Sequence, residues 1–245
     1  MIVLTNSKGS SMNLPRTMGW PKVDIQKRAE VNELALGGGV IAGRLTYTPR
    51  SFTLSGSLYI GDKDANNDFY DDLKKFLEFQ PIEVDRGYGR HILGYVTSLS
   101  CNGMDDDAEL ELSIGMIAPN PFFYGAEVIH EVLGATGTVS DTIIAEGSVP
   151  ADLKIHVEIT SLTASGLSIS IGEYDLAITG YYVQEDILEI DTKNFTVELN
   201  GASIINSVGD DFLVYGMKLL PDENSVTITL TGTADVSFLY RPQWS

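Results

Sequence analysis

Carboxylates offer most of the chemistry this sequence could do. The run Asp62-Lys-Asp-Ala-Asn-Asn-Asp68 places oxygen-bearing side chains at positions 1, 3 and 5, as in an EF-hand calcium loop. Such a loop also needs glycine at position 6 and a bidentate glutamate at position 12, and Asn67 and Leu73 stand there instead. The run therefore reads as an acidic loop leading into a helix cap. Glu109 and Glu111 share the solvent face of an alternating strand by period two. Paired carboxylates cleave glycosides only when they flank a cleft, one of them buried enough to hold a proton. Nothing around these two suggests burial. Gly37-Gly-Gly39 lacks the Gly-Lys-Ser/Thr ending of a phosphate loop and reads as a hinge or turn. Cys101 is the only cysteine, so intrachain disulfides and cysteine metal sites are excluded. With no basic neighbour in the sequence it reads as a small buried hydrophobe, not a reactive thiol. His91, His130 and His156 have no metal or triad spacing. Gly166-Leu-Ser168 fails as a nucleophile elbow because Ile169-Ser170 follows. The expectation is no catalytic residue, no metal ligand, no cofactor and no enzyme.

The 245 residues suit one large or two ordinary domains, and 43% hydrophobic content is enough for a sizeable core. A formal net charge of −18 argues against nucleic acid and anionic membranes as partners. Residues 1–125 hold 12 Lys+Arg and 16 Asp+Glu, whereas residues 126–245 hold 4 and 18. Net charges of −4 and −14 suggest two units in different surroundings. No signal peptide pattern opens the chain, and no apolar run reaches the roughly 18 residues of a membrane helix. A soluble protein made in a cytoplasm is expected.

The elements follow from periodicity. Phe69, Leu73, Phe76 and Leu77 form one face of a helix over 66–79. Asn66 or Asn67 is the expected cap, and Gln80-Pro81 the stop. Strands are expected over Ile2–Leu4, across 45–59 with a break at Pro49, over His91–Leu99 and over Ala108–Met116. Arg16–Arg28 reads as an exposed edge or arm, and Ser7–Met12 as a loop. Ala118-Pro-Asn-Pro-Phe-Phe-Tyr-Gly125 reads as a domain junction. Beyond it, turn signals separate Thr142–Ala145, Leu153–Ile159, Leu167–Ile171, Tyr174–Ile178, Asp186–Asp191, Phe195–Leu199, Phe212–Tyr215, Val226–Leu230 and Val236–Tyr240. Short strands without helices read as an antiparallel sandwich. The fold class expected is mainly β: two sandwich-type domains, the first with one helix.

Across most of both halves the sequence resembles the distal tail proteins of long-tailed phages. The resemblance rests on Arg50-Ser-Phe-Thr-Leu-Ser-Gly56, the single helix with Leu73, and Pro119-x-Pro-Phe-Phe-Tyr-Gly125. In the second half it rests on Gly147-Ser-Val-Pro150, Ile187–Asp191 with Val197–Gly201, Leu219–Ile228, and Val236-Ser-Phe-Leu-Tyr-Arg-Pro-Gln-Trp244. Pro221-Asp222 departs from the family's frequent Pro-Gly. The resemblance implies a belt-forming N-terminal β domain over 1–124, with the last strand, 236–245, as a candidate to return to it. It implies a galectin-like sandwich over 125–245. It also implies a ring, usually a hexamer, at the virion tail tip of a phage or prophage. There the ring would join the tail tube protein to tail-tip, tail-associated lysin and receptor-binding proteins. DNA passing such a ring would meet a repulsive channel if Asp62, Asp64 and Asp68, or Asp105–Asp107, faced it. The alternative is a carbohydrate-binding module of a cell-surface or secreted assembly, using Tyr174, Tyr181, Tyr182 and Trp244 as stacking faces.

Overall fold

The computed structural model describes residues 2–20, 27–33, 40–58, 62–102, 110–209 and 217–245. Gly37–Gly39, Asp105–Asp107, Glu109 and Phe212–Tyr215 lie outside them. The chain divides into two compact units, 1–124 with Ser245, and 125–244. Strands dominate both, and α1 (Lys63–Leu77) is the single α-helix among the described residues.

In the first unit, β1 (Val3–Thr5) pairs with β2 (Ser11–Asn13) and β6 (Ile82–Asp85), all antiparallel. β3 (Lys27–Glu33) and β4 (Val40–Tyr47) form a separate hairpin. β7 (His91–Asn102) is shared. Its start pairs with β6 and the rest, from Tyr95, with β8 (Leu110–Ala118), across a register break between Val96 and Ser98. β5 (Arg50–Leu58) closes on β8, and β9 (Phe123–Tyr124) meets β7 through Tyr124 and His91. β8 alternates as its sequence demands: Leu110, Leu112, Ile114 and Met116 are buried while Glu111 is exposed.

The helix starts earlier than its apolar stripe suggests. Asp62, not Asn66 or Asn67, is the cap: its carboxylate accepts from the Ala65 N–H at 2.9 Å. An ionised cap also meets the positive end of the helix dipole, which favours Asp over Asn here. The buried face holds Asn66, Tyr70, Leu73, Phe76 and Leu77, with Phe69 only half-buried. The stripe is thus rotated from Phe69 towards Tyr70. The segment read as a loop at Ser7–Met12 includes the start of β2 at Ser11.

Two sequence motifs meet in this unit. Arg50 opens β5, and its guanidinium donates to the Pro121 carbonyl at 3.3 Å. It also lies 5.1 Å from the Phe123 ring. Trp20 stacks on Phe52 at 5.2 Å and tilts against Phe123 at 5.4 Å. A Cβ on Gly56 would lie 2.6 Å from the Met18 Cα and the Thr17 carbonyl, so glycine is required where the incoming chain crosses β5.

The second unit is built around two long strands. β10 (Val128–Ala145) and β17 (Asp222–Tyr240) pair along their lengths, with register breaks at Val132/Ala135 and Thr136/Gly137. The early part of β17 also pairs with β12 (Thr163–Ile171), which pairs with β13 (Tyr174–Val183). Its late part pairs with β11 (Leu153–Ile159), followed outward by β14 (Ile187–Asp191), β15 (Thr196–Leu199) and β16 (Ala202–Ser203). Both long strands bend between the two halves. His130 and Asp141 belong to one strand, eleven residues apart, yet their side chains meet at 2.9 Å. Gly134, Gly137 and Gly232 take positive φ at the bend. A Cβ on Gly232 would press within 2.6 Å of the Thr163 carbonyl. The fold is one sheet doubled over, a bend made by bulges and glycine. Val226, Ile228 and Leu230 from one half of β17, and Val236 and Phe238 from the other, share a single core.

Two strand expectations therefore merge, since Val226–Leu230 and Val236–Tyr240 are one strand. Thr142–Ala145 is only the end of β10, whose earlier residues are mostly exposed on both faces and carry no clean alternation.

Candidate functional site

The chemistry-bearing residues do not converge. The Asp62–Asp68 run is helix from Lys63 onward, so it cannot wrap an ion as a loop would. Asp62 is spent on its cap, Asn66 is buried within the helix, and Asp64 and Asp68 point to solvent. Among the described residues no group of three or more His, Cys, Asp or Glu side chains could hold a metal.

Each histidine has its own carboxylate. His91 lies 3.2 Å from Glu83 and stacks near Tyr124. His130 bonds Asp141, and this bond, with the Thr142 N–H, holds the Asp141 carboxyl below its ordinary range. His156 lies 3.7 Å from Glu189. Burial pushes the Cys101 thiol up, against the opposing charge of Lys74, a neighbour the sequence does not reveal. A raised thiol is a poorer nucleophile at neutral pH. Ser168 sits mid-strand in β12, away from any strand-to-helix turn.

The four candidate stacking aromatics do not make a platform. Tyr182 is 3% exposed and donates to the Ile178 carbonyl at 3.4 Å. Tyr181 is 93% exposed. Tyr174 stands at the hairpin end of β13. Trp244 is half-buried, with its ring 3.0 Å from where a Gly125 Cβ would lie.

A concave feature of the second unit is a groove of about 670 Å³ across five strands. Pairing registers place its side chains in two cross-strand rows. One runs Glu131, Ser237, His156, Glu189, Glu198, from β10 through β17, β11 and β14 to β15. The next runs Ile129, Leu239, Lys154, Asp191, Thr196. β11 shows why these residues face out, since Leu153, Ile155, Val157 and Ile159 are buried and their alternates are not. Glu189 and Glu198 are direct cross-strand partners, a like-charge pair that repels. Asp191 is held firmly. Burial pushes its carboxyl up, but the Asn194 backbone and side-chain N–H groups, the Lys193 N–H and the Lys154 charge outweigh it, and the net shift is down. Lys154 reaches it at 3.5 Å. Sequence reading missed this groove because its residues come from five separate strands. The only local signal was the alternation in β11.

Residues 146–244 match the model of the family described as "Siphovirus-type tail component, C-terminal domain". The whole chain superposes on the crystal structure of SPP1 Dit (gp 19.1), described as a paradigm of the hub adsorption apparatus in phages infecting Gram-positive bacteria. That match has a TM-score of 0.70 at 13% identity and covers 100% of both chains. A chain of the phage P2 baseplate, in its activated conformation with Ca, aligns with a TM-score of 0.46 at 8% identity. It covers 98% of this chain and 97% of that one. No curated protein matches the sequence.

Proposed function

From a chain whose residues 146–244 form a siphovirus-type tail component domain, and whose whole length has the fold of SPP1 Dit, we propose that this protein is a ring-forming hub at the tip of a phage tail. The observation that carries the reading is the joint one. A tail-component sequence signature occupies the second unit, and a Dit fold covers both units over their full length. In this reading the first unit closes the ring, its copies pairing side by side where the tail tube ends. The second unit offers surfaces to tail-tip, lysin and receptor-binding proteins. The work is assembly rather than catalysis, which suits histidines that each face a separate carboxylate.

The motifs behind the resemblance have structural roles that fit a scaffold. Arg50 ties β5 to the Pro119–Gly125 junction. Gly147 lies where a side chain would strike the Gln243 carbonyl, and the Ser148 N–H donates to that same carbonyl at 2.8 Å. Asn224 donates to the Ile143 and Leu220 carbonyls and accepts from the Leu220 N–H, locking the start of β17.

The test is the mass and shape of the purified protein, alone and mixed with a phage tail tube protein. Light scattering should give a mass several times the 26.6 kDa of one chain, and electron microscopy should show closed rings, either free or seated on tube ends. A protein that stays monomeric and leaves tube ends bare would overturn the reading.

A further inference from the structure

We infer that the groove across β10, β17, β11, β14 and β15 is a docking surface for an extended, arginine- or lysine-bearing segment of another protein. This goes beyond the hub reading and does not depend on ring formation. The observation is a mismatch of charge on an unpartnered sheet face. Five carboxylates line the groove, Glu127, Glu131, Glu189, Asp191 and Glu198, against a single lysine, Lys154. Lys154 is taken by Asp191, and His156 stands by Glu189. Glu127, Glu131 and Glu198 have no cation within ion-pair distance among the described residues. Left alone, such a face carries uncompensated repulsion, including the directly opposed Glu189 and Glu198.

Geometry narrows the occupant. The row from Glu131 to Glu198 crosses four inter-strand steps, about 19 Å. That spread is too wide for one metal ion, in line with the absence of a metal-competent cluster among the described residues. It suits several cationic side chains on one extended segment laid across the strands. Ile129, which is 56% exposed, and Leu239 offer apolar surface between the charges, where the methylene stems of arginine or lysine can lie while their heads reach the carboxylates. Nucleic acid is repelled by the same charges. Charge complementarity of this kind sets association rate and partner choice more than raw affinity.

The experiment uses the full chain and a fluorescein-labelled peptide alternating arginine and serine, read by fluorescence anisotropy at about 0.15 M salt, where the Debye length is about 8 Å. The parallel probes are a peptide alternating glutamate and serine, and an N-acetylglucosamine oligomer as competitor. The arginine peptide should bind and the glutamate peptide should not. The triple variant Glu127→Gln/Glu131→Gln/Glu198→Gln should weaken binding about tenfold, as a few exposed ion pairs would. A control triple with the same charge change elsewhere on the unit, Glu173→Gln/Asp175→Asn/Glu223→Gln, should leave it within about twofold, since separated surface charges are screened. Equal losses in both triples would mean bulk charge attraction and overturn the inference. Displacement of the peptide by the sugar oligomer would overturn it in favour of a saccharide groove. Ring assembly by the groove triple, measured in the same preparation, separates failure of this inference from failure of the hub reading.

Discussion

At the scale of single residues, two aspartates show how a side chain's task depends on its surroundings. Asp222 takes φ +76° at the start of β17, a left-handed conformation that glycine adopts freely and aspartate tolerates better than most residues. A Pro-Gly at this place would meet that backbone need, and Pro221-Asp222 meets it by a second route. Asp222→Gly is expected to change stability by less than about 1 kcal/mol, while Asp222→Val should cost about 1–2 kcal/mol. Urea denaturation of the two variants checks the contrast, and equal losses would rule out the backbone explanation. Asp191 works through hydrogen bonds. Its folded-state pKa lies below the ordinary value, so its contribution is present above the unfolded carboxylate range, near 4. That contribution is lost as pH falls through the folded value. Asp191→Asn should therefore cost stability at pH 7 and show a smaller further loss between about pH 4 and pH 2 than the parent. Parallel acid titrations of unfolding free energy measure the difference, and identical slopes would exclude the role.

At the scale of elements, α1 and the bent pair β10–β17 show where energy is concentrated. Leu73 is fully buried while Phe69 is only partly covered. Leu73→Ala should cost about 2–5 kcal/mol through lost burial and a cavity, and Phe69→Ala clearly less. Asp62→Ala should cost about 1 kcal/mol by removing the cap bond. Melting curves order the three, and a larger loss at Phe69 than at Leu73 would show that the stripe is misassigned. In the second unit, Gly232→Ala adds a Cβ against the Thr163 carbonyl at a positive φ. It should destabilise by more than about 2 kcal/mol, because overpacking and backbone strain act together.

At the scale of the whole molecule, the division into units makes a prediction about fragments. The second unit has its own core, and Val236, Phe238 and Tyr240 belong to it. Residues 125–245 alone should unfold cooperatively, whereas residues 126–235 should not fold, since that cut removes the strand segment that pairs with β11. Circular dichroism and thermal melts of the two fragments decide it, and a folded 126–235 would overturn the assignment of β17. Charge at this scale bears on the hub reading. In an assembled ring, DNA passage would favour a channel wall of carboxylates. Asp64 and Asp68 on α1 are solvent-facing and are the described candidates for that wall. A ring structure with a basic or neutral channel would remove this electrostatic role while leaving assembly untouched.

The sequence by itself determined the features whose causes are local. Leu153–Ile159 is a strand with the limits that alternation sets, and Leu110–Met116 alternates as read. Helix α1 lies where its stripe and Gln80-Pro81 put it, to within a few residues. Mainly β architecture followed from the density of turn signals between β-forming runs, and the order of soft motifs pointed to the tail-protein family. Tertiary structure alone decided what depends on partners far apart in the chain. The helix face turned to Tyr70 because burial, not spacing, selects among neighbouring aromatics. Asp62 took the cap because the helix began before its apolar pattern did. The first part of β10 is an exposed edge, so it needs no hydrophobic period and shows none. The doubling of β10 and β17 rests on glycines and bulges whose meaning appears only when His130 meets Asp141. The groove exists because five strands from across the second unit come into register, and no window along the chain contains more than one side of it.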